Sequence, residues 1–477
     1  MTDDRSSAVQ RIGLVAGPLL FALIFALPGP SGMSEPAHRV LALSGWMATW
    51  WMTVPVPLEA TALLPLVTLP LLGVASFDLA ARPYANSVIF LFLGGFFIAA
   101  AMERWGLHRR VAYAILGAVG TDARRVVLAF MIATAFVSLW ISNTATAVMM
   151  MPMAVAVIAL TDRQGGFRVA MVLGVAYAAN IGGMGTLIGT PPNAIFAGAV
   201  RQMAGREFGF GEWMIAGLPI VLVLLPACWL VLTAIFPSRG AIGGLAERVR
   251  EERRALGPLV GGERFTLIVF LAAVALWILR EPKDLGAFTI PGVATLVPAV
   301  NDSLIAIAAA LALFMIPFSW RQFAFALDWP TARKAPWGML LLFGGGLSLA
   351  DAFQTTGLSS WIGGLLSGLG GLPAILIIAA VCAVFIGLSE LASNAAVAAM
   401  AMPLLFGIAQ ALGMEPVRLM QTAALASSVS FLLPVSTPPN TVAFATGEVT
   451  VAQMMKAGVW MDVIALLVIT GVIALVY

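Results

Sequence analysis

Long apolar stretches alternate with short polar breaks along the chain. Read by length, they predict helices near 11–29, 38–52, 58–74 and 86–106, then a longer stretch, 125–160, centred on Ser142-Asn143-Thr144. Further helices are expected at 168–203 (interrupted), 213–236, 264–280, 289–317 and 336–356. A second interrupted stretch covers 372–411, and the last two fall near 417–446 and 456–477. The one clearly polar span, 237–264, mixes Arg239, Arg248, Arg250, Arg253, Arg254 and Arg264 with Glu247, Glu251, Glu252 and Glu263. It reads as a solvated amphipathic helix joining two halves at the cytoplasmic surface.

The two halves align with each other. Phe92, Gly94 and Gly95 match Phe343, Gly345 and Gly346 at an offset of 251 residues. The same offset carries Gly106-Leu107 onto Gly357-Leu358, Ser142-Asn143 onto Ser393-Asn394, and Met149, Met151 and Pro152 onto Met400, Met402 and Pro403. Four residues are then lost, and Thr190-Pro191-Pro192-Asn193 matches Thr437-Pro438-Pro439-Asn440. So many matches in one order mark an internal duplication.

Charge orients the copies. Arg104, Arg109, Arg110, Arg124 and Arg125 surround the first Gly-Leu pair and precede its hairpin, whereas the matching stretch 359–373 has no Lys or Arg. Positive charge collects in the cytoplasm, so the same loop lies on opposite faces and the repeats are inverted. With the N-terminus cytoplasmic and two re-entrant hairpins, the count is 11 transmembrane helices and an external C-terminus, and it also places the linker inside. The expected organisation is an N-terminal helix (1–37), a first inverted repeat (38–236), a cytoplasmic linker (237–263) and a second inverted repeat (264–477).

Composition agrees with an all-α integral membrane protein. Hydrophobic residues make up 61% and charged residues 10% of the chain, with a mean hydropathy of +0.98, where soluble domains carry roughly a quarter charged. Such a chain makes one membrane domain rather than a tethered soluble enzyme. The polar start before the first apolar stretch reads as leading into a membrane helix, not as a removed signal peptide. A net charge of +3 does not suggest nucleic acid. Cys228 and Cys382 sit in apolar runs and read as packing residues, and Trp46, Trp50 and Trp51 as an interfacial belt.

Candidate chemistry gathers at the paired motifs. A hairpin tip leaves backbone groups without helical partners, tolerable in a membrane only against protein or a water-filled cavity. Ser138 and Ser142 share a helix face, as do Ser389 and Ser393, and hydroxyl and amide oxygens are hard ligands suited to Na⁺. Each Pro-Pro pair deletes two N–H donors, freeing carbonyls near Leu187, Ile188, Pro434 and Val435 and unwinding Gly189-Thr190 and Ser436-Thr437. The helix that follows each break could hold an anion at its N-terminus. No Lys, Arg or His lies near these segments at the predicted depth; His38 and His108 fall near helix ends. An anion would therefore meet hydroxyls, amides and co-bound cations. Among the acids, Glu390 lies within the second hairpin and could orient its tip, whereas Glu59, Glu103 and Asp351 are weaker candidates.

These residues resemble the divalent anion:sodium symporter family, most specifically at Ser142-Asn143-Thr144, Ser393-Asn394 and the two Thr-Pro-Pro-Asn breaks. The stretches Asp328-Trp329, Pro336-Trp337-Gly338, Phe343-Gly344-Gly345-Gly346 and Trp50-Trp51 to Pro65 are also similar to it. The resemblance implies a homodimer in the bacterial inner membrane, with a transport domain sliding against a scaffold as an elevator. It implies Na⁺ as a co-transported ion and no organic cofactor. Its first Na⁺ site maps to Ser138, Ser142, Asn143 and the backbone of Gly189, and its second to Ser389, Ala392, Asn394 and the backbone of Ser436. Substrate contacts map to Asn143, Thr144, Thr190, Asn394 and Thr437. Three positions depart from the family: Ala395 stands where Thr often follows the second Ser-Asn pair, Ser389 replaces a Thr while keeping its hydroxyl, and Val54 stands where an acidic residue is common.

The leading expectation is Na⁺-coupled uptake of a small dicarboxylate such as succinate, malate or fumarate. The alternatives are citrate or sulfate on the same fold, or Na⁺-independent exchange. A cation/proton antiporter would want an embedded carboxylate cluster. A membrane-embedded enzyme would want a Ser/His, Asp/Asp or metal-ligand set that two peripheral histidines do not provide.

Overall fold

Apolar segments in lipid must satisfy their own backbone groups, and helices do so without a partner strand. The computed structural model describes residues 3–161, 165–238, 240–284, 289–366, 368 and 371–477. Arg239 of the linker lies outside the described residues. The main helices of the first half are α1 (Asp3–Ala26), α2 (Glu35–Thr53), α3 (Ser87–Arg104), α4 (Leu107–Val119), α5 (Ala123–Ser138), α6 (Asn143–Ile158), α7 (Gly165–Gly183), α8 (Pro191–Ala199) and α9 (Phe210–Ile235). The linker forms α10 (Leu245–Leu256). The second half contains α11 (Gly261–Leu279), α12 (Asp302–Met315), α13 (Trp337–Thr356), α14 (Leu358–Leu365), α15 (Ala374–Leu391), α16 (Asn394–Ala411), α17 (Pro416–Ala426), α18 (Pro438–Ala445) and α19 (Val451–Val476). From α3 to α9, each helix has its counterpart ten labels higher.

Among the described residues, eight helices are long and apolar enough to cross a membrane: α1, α3, α7, α9, α11, α15, α16 and α19. Contacts between α3 and α13 reveal their relative direction. Phe92 packs edge to face on Phe343 with ring centroids 5.3 Å apart. Further along α3, Phe97 meets Trp337, which comes earlier on α13, at 6.1 Å. On the other side, the Ser348 hydroxyl donates to the carbonyl of Ala80, ahead of α3, at 2.9 Å. One helix advances as the other goes back. The matched helices run antiparallel, as inversion of the repeat requires.

Two sequence expectations change here. The stretch 289–317 is not one helix: Pro291 and Pro298 interrupt it, Thr289–Ile290 pairs with Lys283–Asp284, and α12 starts only where Asn301 caps it by accepting from Leu304 N–H at 2.9 Å. The three tryptophans do not act alike. Trp51 is fully buried, while Trp46 and Trp50 pack edge to face at 5.2 Å and Trp46 also meets Phe21 at 5.5 Å, which fastens α1 to α2. Cys228 and Cys382 are free and buried, as expected of packing residues.

Candidate functional site

Each apolar hairpin folds as two helices around its Ser-Asn pair. In the first, α5 ends at Ser138 and α6 begins at Asn143, capped by Ser142, whose hydroxyl accepts from Ala145 N–H at 3.4 Å. In the second, α15 ends at Leu391, Ala392 follows in extended conformation, and α16 begins at Asn394. Both breaks also form, and they are wider than the proline pairs alone demand: 184–190 separates α7 from α8, and 427–437 separates α17 from α18.

Asparagine holds each break open. Asn193 Nδ2 donates to the carbonyls of Gly183 at 2.9 Å and Thr186 at 2.7 Å. Asn440 Nδ2 donates to Ser430 and Leu433, both at 3.0 Å. The carbonyls lie ten and seven residues back in each case. The last residue of the Thr-Pro-Pro-Asn motif thus satisfies groups freed by unwinding. The two threonines share a geometry as well: Thr190 has φ −146° and ψ 149°, and Thr437 has φ −151° and ψ 146°.

The first hairpin tip touches its break through a cluster of oxygens. Ser138 Oγ donates to the Ala179 carbonyl at 2.7 Å and lies 3.0 Å from Asn143 Oδ1. That end of the Asn143 amide also faces the carbonyls of Ala179 at 3.1 Å and Gly189 at 3.3 Å. Turned nitrogen-in, the two NH₂ hydrogens have three acceptors within reach. Turned oxygen-in, it joins the Ser138 hydroxyl and the two carbonyls in a set of four oxygens suited to a hard cation. Glycine makes the approach possible: a Cβ on Gly183 would lie 2.1 Å from Asn143 Oδ1, and one on Gly189 would lie 2.4 Å from the Gly183 carbonyl. The structure therefore brings Ser138, Asn143 and Gly189 together. Ser142, at the same tip, caps α6.

The second tip repeats the arrangement. Ser389 Oγ donates to the Ser427 carbonyl at 2.9 Å, and Ser430 Oγ lies 3.0 Å from Asn394 Oδ1 and 3.3 Å from the Ser389 carbonyl. Ser436 Oγ turns to the Leu433 carbonyl at 2.7 Å and accepts from Asn440 at 3.3 Å. Ala392 donates its N–H to Leu388 at 3.0 Å, closing α15. Ala395 is buried in α16.

Asn180 joins the halves. Its Oδ1 lies 3.5 Å from Asn143 Nδ2 and 3.4 Å from Thr437 Oγ1, and its Nδ2 lies 3.5 Å from the Ser430 carbonyl. These are long contacts, at the outer edge of hydrogen bonding. Sequence reading missed Asn180, Ser427 and Ser430, and gave Asn193 and Asn440 no role of their own. The available signal was an asparagine inside the apolar stretch of α7 and a serine cluster before the second break.

Glu390 clasps the second break. Its Oε1 accepts from the N–H groups of Phe431 at 2.6 Å and Leu432 at 3.0 Å, while the Tyr177 hydroxyl donates to the Phe431 carbonyl at 2.7 Å. It thus orients the unwound segment rather than the tip alone. Asp351 accepts from Gln202 at 2.7 Å, away from these clusters.

One expectation fails on its donors. An anion cannot use the first N–H groups of α8 or α18, because Pro191, Pro192, Pro438 and Pro439 have none. The next two are taken: Asn193 donates to Thr190 at 3.2 Å and Asn440 to Thr437 at 3.0 Å. That leaves side chains as the donors available there. Ser142 and Thr144 line a cavity of about 650 Å³, faced across it by Glu103, Arg104 and Lys334. Arg104 pairs with Asp328 at 2.9 Å. The Thr331 hydroxyl and the Arg104 guanidinium hold the Asp328 carboxyl below the usual carboxylate range. Lys334 is exposed and has no ion pair among the described residues. The two tips and the two breaks themselves carry no Lys, Arg or His, but the cavity beside the first tip is lined by Arg104 and Lys334.

Comparison with known proteins follows the same lines. Residues 8–477 match the family described as the sodium:sulfate symporter transmembrane region. The sodium-dependent dicarboxylate transporter SdcS of Staphylococcus saprophyticus is 39% identical over 477 residues, covering 97% of this chain and 91% of that protein. SdcS of Staphylococcus aureus is 39% identical over 480 residues, covering 98% and 91%. Among solved structures, the Alcanivorax borkumensis YdaH transporter superposes with a TM-score of 0.56 at 14% identity, covering 99% of this chain and 97% of that one. Neisseria gonorrhoeae MtrF gives 0.57 at 14% identity, covering 98% and 94%. These two likenesses speak to fold alone.

Proposed function

The chain belongs to the sodium:sulfate symporter family, and on that premise we propose that it is a secondary active transporter that carries a small dicarboxylate together with Na⁺. The observation that carries this reading is the convergence of the Ser138 hydroxyl, the Asn143 amide and the Ala179 and Gly189 carbonyls where a hairpin tip meets a helix break. Na⁺ is a hard cation that takes such neutral oxygens.

The first Na⁺ binds at Ser138, Ser142, Asn143 and the Gly189 backbone, with the Ala179 carbonyl added. The second binds at Ser389, Ala392, Asn394 and the Ser436 backbone, beside Ser427 and Ser430. One amide rotation couples ion to anion at the first site. Without Na⁺, the Asn143 nitrogen faces the carbonyls and is spent on them. With Na⁺, the oxygen turns inward and the NH₂ group is released toward substrate. Binding either partner then favours the other, and the coupling is reciprocal. The dicarboxylate is held by Asn143, Thr144, Thr190, Asn394 and Thr437, and it reaches them through the cavity at Ser142 and Thr144.

The wider arrangement belongs to the same proposal: 11 spans, two re-entrant hairpins, repeats at 38–236 and 264–477, and a cytoplasmic linker. The N-terminus is cytoplasmic, the C-terminus is external, and the protein works as a homodimer in a bacterial inner membrane. Hairpins and broken helices move as one body against a scaffold that includes α3 and α13. Thermal unfolding of purified protein tests the binding step. Succinate should raise Tm in NaCl and leave it unchanged in choline chloride; an equal rise in both would remove the coupling.

A further inference from the structure

The linker helix α10 and the amphipathic helix α4 enclose a pocket of about 440 Å³ far from the ion clusters. Its floor is apolar, formed by Leu116 of α4 with Leu245 and Val249 of α10, and its rim carries Arg250, Arg253 and Arg254. Of the four linker carboxylates, Glu247 has no ion pair among the described residues and the other three are engaged, Glu251 with Arg248 at 3.9 Å. Glu252 pairs with Arg248 at 2.8 Å and Arg109 at 3.2 Å, and Glu263 binds Arg110 at 2.9 Å. Among the described residues, the three rim arginines have no ion pair. Gly117 leaves room for one of them, since a Cβ there would lie 2.9 Å from the Arg253 guanidinium.

We propose that this pocket binds a phosphoryl anion, supplied by the headgroup of an anionic phospholipid. Guanidinium groups fit phosphate oxygens as paired donors, and basic pockets at the cytoplasmic surface attract anionic headgroups. The apolar floor accepts the glycerol and the first methylenes of a lipid, which a fully polar ligand would not need. Because α10 connects the two repeats, an occupied pocket ties the linker to α4. The proposal rests on the surface placement of the linker but not on the identity of the transported anion.

Native mass spectrometry of the purified full chain, without Na⁺ or succinate, tests it with dioleoylphosphatidylglycerol, dioleoylphosphatidylcholine and glycerol 3-phosphate. The phosphatidylglycerol should bind in preference to phosphatidylcholine. Binding should weaken by about ten-fold or more in the triple variant Arg250→Gln, Arg253→Gln, Arg254→Gln. Gly117→Leu fills the pocket while keeping every charge, and should weaken binding too. Glycerol 3-phosphate competing at similar affinity, with the same loss in both variants, would keep the phosphoryl site and make its source soluble. Equal binding of both lipids without any response to glycerol 3-phosphate, or binding unchanged in the triple variant, would overturn it.

Discussion

The terminal amide of Asn143 lies 3.3 Å from the carbonyl oxygen of Gly189, so the tip of the first hairpin touches the break between α7 and α8 directly. The contact joins segments 46 residues apart (189 − 143) and closes only because Gly183 and Gly189 lack side chains. An ion seated there would hold both elements at once. That is the structural sense in which Na⁺ and substrate could depend on each other.

Ser138→Ala should raise the Na⁺ concentration needed for half-maximal uptake. A hydroxyl in such a site is worth about 1 kcal/mol, which gives a shift of roughly five-fold. Succinate uptake measured across a Na⁺ series checks this. The maximal rate at saturating Na⁺ should fall much less than the affinity.

Asn193→Ala and Asn440→Ala should destabilise the protein by similar amounts, because each removes the same two hydrogen bonds to the break, and Asn440 adds only a longer one to Ser436. Losing two such bonds costs about 1–3 kcal/mol, since the Thr186, Ser430 and Leu433 carbonyls keep other donors. Thermal unfolding in detergent should show comparable drops in Tm. A large loss for one variant and none for the other would argue against equivalent breaks.

Glu390→Gln should be milder than Glu390→Ala. A glutamine oxygen can still accept from Phe431 and Leu432, whereas alanine leaves both N–H groups unpaired. The expected order of Na⁺-dependent uptake is wild type, then glutamine, then alanine. Glutamine and alanine falling together would mean that the charge, rather than acceptance of those N–H groups, is what matters.

Lys334→Gln should weaken anion capture from the cavity side by about two- to five-fold, in the range of an exposed charge interaction, and leave Na⁺ dependence unchanged. Raising ionic strength should shrink the difference between variant and wild type. Counterflow at two ionic strengths provides the measurement.

Much of this architecture was legible in the sequence because the duplication repeats identifiable residues. Ser-Asn pairs and Pro-Pro breaks report local geometry, and in both halves one helix ends and the next begins at the Ser-Asn pair. The helix expected at 289–317 failed because hydropathy length ignores Pro291 and Pro298. The N–H donors expected at α8 and α18 failed because each proline pair removes donors from the helix it starts. Asn180 was invisible for another reason. Its partners, Asn143, Thr437 and Ser430, come from three different segments, and only the folded chain brings them to one place.

The most direct test is uptake of radiolabelled succinate into proteoliposomes, with and without an inward Na⁺ gradient, for wild type and Asn143→Ala. The account predicts accumulation by wild type only with the gradient, and none by the variant under either condition. Uptake that ignores Na⁺ and responds instead to dicarboxylate trapped inside would contradict it, because exchange needs no cation at Asn143.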